Sequence, residues 1–431
     1  MISLSVVTRK PIYRILLIFI IVPLILVAIV VFRQSNTQIF PYIQVVDGTT
    51  EQTNNNNNSN EYFPRIHQPL SSSILRGIII FYPHDQEISF ASELLWLYRS
   101  WIEMMKNESS SWRTDLIIYT GNFTLHLQQL GCIYNHIRID KYESPQCRVF
   151  PYQRIRSRDI RNINKIDDNI YQQIDIDRSI LLKTHLQTYE YIDSINIIAE
   201  CYQSFAMYDY ILRTDIDVFL TPYFGHFIPY NDIFLVGRGS YSTAFNTGRL
   251  RRIAHHMNWL YANITNIGST WYGPPRVAQR IANFSLEAML YLSMNEFTRA
   301  EQQRKLGVLL WPEWHYGVLL LYGCELAINH LRLSENINLG LAHKLLDQLT
   351  TSKDPYDLEN NNRLHLHCWH TDEEFSKFAF KAGKYNRIHP RKFIHDTSAS
   401  GYAMRMALES RLMSYIDLKE ARMNVKNSSR L

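Results

Sequence analysis

Two carboxylates stand two residues apart in the segment Tyr210-Ile211-Leu212-Arg213-Thr214-Asp215-Ile216-Asp217-Val218-Phe219-Leu220-Thr221-Pro222. Tyr210, Ile211 and Leu212 read as a buried strand, and residues at i and i+2 where such a strand runs out point to the same side of the chain. In an open α/β sheet that end of a strand is where ligands bind. Hard carboxylate oxygens at this spacing suit Mg2+ or Mn2+ bridging a diphosphate. The bare pattern is weak evidence, because 20 Asp in 431 residues produce roughly one Asp-x-Asp by chance. A second one, Asp175-Ile176-Asp177, precedes a helical run, where acidic residues complement the helix N-terminus. Context therefore selects Asp215 and Asp217. Gly237-Arg238-Gly239 follows the apolar Phe234-Leu235-Val236, but Ser242 stands where the third glycine of a dinucleotide fingerprint belongs, so that motif is set aside.

The elements that must hold this pair are readable from periodicity. Gly77 to Tyr82, stopped by Pro83, reads as a strand buried on both faces, and Leu116 to Tyr119 as another. Between them Phe90, Leu94, Leu97, Tyr98, Trp101, Ile102 and Met105 recur at helical spacing. A helix over Thr124 to Leu130 and one or two helices over Leu181 to Phe205 follow, then helices at about 249–261, 276–297 and 316–331, and a late strand over Leu364 to Trp369. Strand, helix, strand, helix begins a parallel sheet, so the fold class is α/β, Rossmann-type and mostly parallel, flanked by helices.

Ile15 to Phe32 is an uncharged apolar run of 18 residues, about 27 Å as a helix, and reads as an uncleaved transmembrane anchor preceding the α/β domain. Arg9, Lys10 and Arg14 before it against Arg33 after it predict a cytosolic N-terminus and a translocated remainder. The expected organisation is a cytosolic tail (1–14), the anchor (15–32), a Gln/Asn/Ser-rich stem (33–74), the α/β domain (75–395) and a helical or flexible tail (396–431). Sequons at Asn57, Asn107, Asn122, Asn263, Asn283 and Asn427 fit a luminal domain. Five cysteines without a Cys-x-x-Cys pair argue against a zinc ribbon and thioredoxin chemistry, leave at least one thiol unpaired within the chain, and allow Cys132 and Cys147 to close a short loop. Of the +5 net charge, Arg9, Lys10, Arg14 and Arg33 carry four, so the remainder is near neutral and has no electrostatic case for nucleic acid.

The segment Tyr208 to Pro222 resembles the Asp-x-Asp segment of GT-A glycosyltransferases, the nucleotide-diphospho-sugar transferase superfamily, and in particular an uncharacterised eukaryotic branch of it. The resemblance covers about 75–392 and implies a GT-A-like fold, a nucleotide-diphosphate sugar as donor, Mn2+ (or Mg2+) held by Asp215 and Asp217, and a glycan or glycoconjugate acceptor. It also implies a Golgi or ER membrane setting, type II and single-pass. In many such enzymes a late histidine completes the metal site. The local cluster here is His365-Leu366-His367-Cys368-Trp369-His370, which makes His370 the first candidate and His367 the second. Alternation puts His365 and His367 on one strand face. Phe245-Asn246-Thr247-Gly248 resembles an Asn-x-Gly loop opposite the donor sugar, or it is a plain helix entry. Arg213 would add to charge neutralisation if it faces the same way. In Trp311-Pro312-Glu313-Trp314, Glu313 is the candidate general base beside aromatics suited to sugar stacking, or the segment is a packed corner.

The expected activity is metal-dependent sugar transfer to an acceptor hydroxyl. A catalytically silent binding protein on the same fold and a metal-dependent phosphodiester hydrolase stand as rivals. The oligomeric state, the sugar and the acceptor are not readable from the chain.

Overall fold

The computed structural model describes residues 73–134, 144–159, 172–229, 232–303, 313–368 and 375–428. Its main sheet has eight strands: β1 (Ile74–Phe81), β2 (Trp112–Thr120), β3 (Ile133–Tyr134), β4 (Cys147–Pro151), β5 (Tyr210–Arg213), β7 (Phe234–Arg238), β8 (Ile267–Gly273) and β9 (Leu339–Leu341). They lie in the order β3-β4-β2-β1-β5-β8-β7-β9. Only β8 runs antiparallel to its neighbours, so the sheet is mostly parallel. A second sheet of three short strands, β10 (Gln348–Leu349), β11 (His365–His367) and β6 (Val218–Leu220), sits against it.

The strands of the parallel half are buried on both faces because each splits its side chains between two cores. In β1, Leu75 and Ile79 enter one hydrophobic cluster, whereas Ile74, Ile78 and Ile80 enter the other. Ile117 and Tyr119 of β2 likewise oppose Leu116 and Ile118, which is why these segments read as continuous apolar runs. On one face lies α1 (Glu87–Met105), whose Leu94, Leu97, Tyr98, Trp101 and Ile102 form its buried stripe. Trp101 also donates its indole N–H to the Thr114 carbonyl of β2 at 3.1 Å. The other face carries α2 (Ile176–Leu186), α3 (Ile192–Glu200), α4 (Ala244–His256), α5 (Pro275–Asn295) and α6 (Leu319–Ser334). Each fully buried Leu, Ile or Phe in these stripes contributes roughly 1.5–3 kcal/mol.

Several sequence expectations are sharpened. The region expected as one or two helices over 181–205 is two, α2 and α3, and Asp175 caps the first by accepting the Arg178 backbone N–H at 3.0 Å. Trp271-Tyr272-Gly273, which falls between the helices expected at about 249–261 and 276–297, is the end of β8, since large aromatics suit a pleated surface buried on both sides. The helix expected from about Arg249 begins at Ala244 behind a Thr243 cap. After α7 (Lys377–Lys381), residues set apart as a tail supply α8 (Ala399–Leu412) and α9 (Tyr415–Ser428). Tyr402, Ala403, Met406 and Ala407 of α8 are packed in a third cluster with Trp96 of α1, Phe219 and Leu366. Cys132 and Cys147 are joined by a disulfide and tie the β3–β4 edge of the sheet, while Cys201, Cys324 and Cys368 are buried thiols.

The localisation is corrected. Among the described residues no helix is long and apolar enough to cross a membrane, and this overturns the single-pass Golgi or ER membrane placement. The run 15–32 and the stem over 33–72 lie outside the described residues.

One buried carboxylate anchors the strand that later serves the site. Glu325 of α6 accepts hydrogen bonds from the hydroxyls of Tyr241 (2.7 Å) and Tyr261 (2.8 Å) and from the Asn266 backbone N–H (3.0 Å), at the entry to β8. Burial pushes this carboxyl up to about 7, against the lowering effect of those three donors. Its folded value exceeds its unfolded one, so its stabilising contribution is complete below about pH 4.5 and is lost as pH rises through about 7. At about 1.4 kcal/mol per unit this amounts to about 3 kcal/mol. Glu325→Gln is expected to narrow the gap between urea unfolding free energies at pH 5 and pH 8 by about 2.5 kcal/mol, because part of the contribution is already lost at pH 5. An unchanged gap would remove the assignment.

Candidate metal centre at the carboxyl edge of the sheet

From β1 the chain builds the sheet outward through β2 and β4 on one side and through β5 on the other, so the carboxyl ends of β1 and β5 flank the point where strand order reverses. That crevice is where open α/β sheets place ligands. The backbone N–H of Thr214, the first residue after β5, donates to the Ile79 carbonyl of β1 at 3.1 Å. Asp215 and Asp217 follow directly. Asp217 is largely buried and Asp215 about one-third exposed.

The third member comes from the far end of the chain. Strand β11 runs antiparallel to β6 with His367 opposite Val218, and the Cys368 N–H donates to the Asp217 carbonyl at 3.0 Å. This pairing brings His367 Nε2 to 3.4 Å from Asp217 Oδ1 and 3.8 Å from Asp215 Oδ2. One ligand atom from each of Asp215, Asp217 and His367 lies within 4.8 Å of the others. Two hard oxygen donors and one imidazole nitrogen fit Mn2+ well and Mg2+ less well.

Behind His367 stands Asp347, a residue that spacing arguments do not single out. Its Oδ1 is 3.2 Å from His367 Nδ1 and accepts the Thr270 hydroxyl at 2.5 Å, and its Oδ2 accepts the Thr270 N–H at 3.1 Å. Asp347 has φ of 53°, in the left-handed region that non-glycine residues enter rarely. Room for its carboxylate comes from Gly237 and Gly268, where a Cβ would overlap it. This explains Gly237, which belongs to no dinucleotide fingerprint. The arrangement Asp347–His367–Asp217 is that of a carboxylate orienting a histidine, with Nδ1 directed to the carboxylate and Nε2 toward the site.

His365, on the same strand, is a brace. Fully buried, its Nδ1 accepts the Asp347 backbone N–H at 3.2 Å, which leaves Nε2–H to donate to Thr214 Oγ1 at 2.8 Å. Burial pushes it down to about 4, so it is neutral. For His367, burial alone would favour the neutral ring, but Asp217 and Asp347 outweigh it and raise it well above its ordinary value. Burial would likewise raise Asp217, yet the charges of His367 and Lys377 hold it well below the usual carboxylate range. Lys377 Nζ lies 2.6 Å from Asp217 Oδ2.

Arg213 is buried over the Trp271 ring and hydrogen bonds the Ser269 carbonyl and Ser194 Oγ. Its guanidinium is 3.8 Å from Asp215 Oδ1, while Ser269 Oγ donates to Asp215 Oδ2 at 2.9 Å. Arg213 thus braces Asp215 from behind. Asn246 lies in the first turn of α4, buried, with Nδ2 donating to the Tyr241 carbonyl at 2.6 Å, and Gly248 follows in the same helix. Both have the helix-entry placement. Glu313 is exposed beside Trp314, which is stacked between Phe297 and Tyr322 as a packed corner. Asn246, Gly248 and Glu313 are not among the groups gathered around Asp217. His370 lies outside the described residues.

Asp347→Asn is expected to weaken Mn2+ binding about 10–100-fold, as loss of a partner that orients a ligating histidine does. Isothermal titration of the full-length variant with Mn2+ measures this, and undiminished affinity would show that Asp347 does not orient the ligand.

Residues 70–430 match the family described as "Domain of unknown function (DUF7164)". No curated protein sequence matches the chain. Among solved structures, the chain is similar to the apo structure of WbbM, a bifunctional glycosyltransferase, with 8% identity and a TM-score of 0.35, covering 73% of this chain and 49% of that one. The chain spans about half the length of that protein, and a likeness this slight carries no argument about activity.

Proposed function

The chain belongs to the DUF7164 family, and from its own site we propose that it transfers a sugar from a nucleotide-diphosphate donor to an acceptor hydroxyl of a glycan or glycoconjugate, with a divalent cation, on a GT-A-like fold. The observation that carries this reading is the convergence of Asp215, Asp217 and His367 at the carboxyl edge of the sheet where strand order reverses. Asp215, Asp217 and His367 would hold the cation, with Mn2+ favoured by the imidazole. When bound, it supplies positive charge against the diphosphate that leaves.

The chain's own residues supply placement and charge. Asp347 fixes the ring of His367, and His365 fixes Thr214 and the Asp347 backbone. Arg213 and Ser269 set the orientation of Asp215. Held this way before any ligand arrives, the groups need little reorganisation, which is how preorganised charge lowers a barrier. Asn246, Gly248 and Glu313 remain proposals for the sugar and acceptor side.

The test is a panel of nucleotide-diphosphate sugars incubated with the full-length protein and mixed glycan acceptors, in Mn2+, Mg2+ or chelator, with products read by mass spectrometry. Metal-dependent appearance of a glycosylated acceptor is expected. Sugar or phosphate release to water with no acceptor product would favour the hydrolase, and binding without turnover the silent binding protein.

A further inference from the structure

We propose that Lys377 is a built-in competitor of the divalent cation at Asp217, a property that rests on the metal reading of the site. The ammonium is 2.6 Å from Asp217 Oδ2, and His367 Nε2 faces Oδ1 at 3.4 Å, so side chains of the protein itself already face both oxygens of this carboxylate, with Lys377 on the one turned away from the histidine. Both partners of the lysine pair are close to nine-tenths buried. A cation arriving at Asp217 must displace the ammonium or share the carboxylate with it against like-charge repulsion.

Lys377 is built into this position. It is the first residue of α7, where a positive charge gains nothing from the helix ends. The helix is nevertheless registered at both ends. Ser376 caps it by accepting the Ala379 N–H at 3.3 Å, and Lys381, one turn on, pairs with the buried Glu93 at 2.5 Å. Between the two lysines, Phe380 packs edge-on against Trp96 at 5.0 Å between centroids. Two lysines at i and i+4, each seated on a largely buried carboxylate from a different element, hold α7 in one register. Lys377 cannot drift from Asp217 by sliding of the helix. The diphosphate of a donor would give the displaced ammonium a new anionic partner, so the exchange is favoured when donor and cation arrive together.

The experiment is titration of the full-length protein with Mn2+ alone, followed by electron paramagnetic resonance of the free ion, with circular dichroism melts as the folding check. Lys377→Met, which keeps the stem and removes the charge, is expected to bind Mn2+ at least tenfold more tightly than the wild-type chain. Lys377→Arg should stay near wild type, and so should Lys381→Met, which loosens the same helix without touching Asp217. Wild-type protein that binds no Mn2+, beside a Lys377→Met variant that binds it, supports the proposal in its strongest form. Equal or weaker binding by that variant, with measurable wild-type binding, overturns the proposal and leaves the metal reading standing. No binding by either removes both. Should Lys377→Met fail to fold, Lys377→Gln must show the same gain, and an unchanged affinity there counts against the proposal equally.

Discussion

Asp217→Asn is expected to lower Mn2+ affinity by well over 100-fold and to bring metal-dependent turnover of a nucleotide sugar below detection. The replacement is nearly isosteric, and its carbonyl oxygen still accepts from Lys377, so the fold has little reason to change. What disappears is the negative charge that both His367 and Lys377 face, at 3.4 and 2.6 Å. Without it the site keeps Asp215 and Asp347 as anions near a ring that Asp347 still orients. The oxygen donor that remains toward the cation, Asp215, is partly solvated. Orienting partners alone are worth about 10–100-fold at metal sites, and a charged ligand exceeds that. Titration with Mn2+ and the donor panel check the two halves separately. An Asp217→Asn variant that turns over a nucleotide sugar at the wild-type rate in Mn2+ would sink the assignment of this centre.

The second large effect is on stability. Glu108→Ala is expected to cost about 3–5 kcal/mol, the usual penalty for leaving one member of a buried ion pair without its partner. Arg76 of β1 and Glu108 have almost no exposed side-chain surface and meet at 2.8 Å. The guanidinium also donates to the carbonyls of Phe224, Gly225 and Phe227 and lies over the rings of Trp112 and Phe224. It therefore ties the start of β1 to the segment following β6, downstream of Asp217. Urea unfolding with an unchanged denaturant slope reads the loss directly. Glu108→Gln keeps an acceptor for Arg76 and should lose less, and equal losses for both variants would assign the whole effect to the missing charge and none to the hydrogen bond.

The Arg76 anchor was not visible locally. An arginine ahead of Gly77-Ile78-Ile79-Ile80 reads as the edge of a strand, whereas β1 in fact begins at Ile74 and passes Arg76 through the core. Trp271-Tyr272-Gly273, which falls between two expected helices and ahead of Pro274 and Pro275, belongs to β8. In both cases the partner that satisfies the residue is distant in sequence, and local pattern does not carry distant partners.

Asp215 and Asp217 were legible because their signal is short-range: an apolar strand, its end, and two carboxylates at the spacing that shares a side. The pairing of His365 and His367 on one strand face was legible for the same reason, as was the helix-capping role of Asp175. The approach of His367 to the pair was not, since it is β11 pairing with β6 that brings it to aspartates far earlier in the chain. Asp347 sits in Lys-Leu-Leu-Asp-Gln-Leu, a stretch with no spacing relation to Asp215, Asp217 or His367, and Lys377 in Lys-Phe-Ala-Phe-Lys, a stretch with none to Asp217.

The amino-acid sequence by itself thus determined the alternation of strand and helix, the two-faced burial of the parallel half-sheet and the carboxylate pair at its edge, because periodicity and strand ends are properties of a few consecutive residues. Only the tertiary structure decided which nitrogen faces the pair, what orients that nitrogen, and that a lysine already occupies the pair's inner carboxylate. Those contacts join residues as far as 160 positions apart. Their geometry is set by strand order, by the register of β11 on β6 and by the seating of α7, which no local pattern encodes.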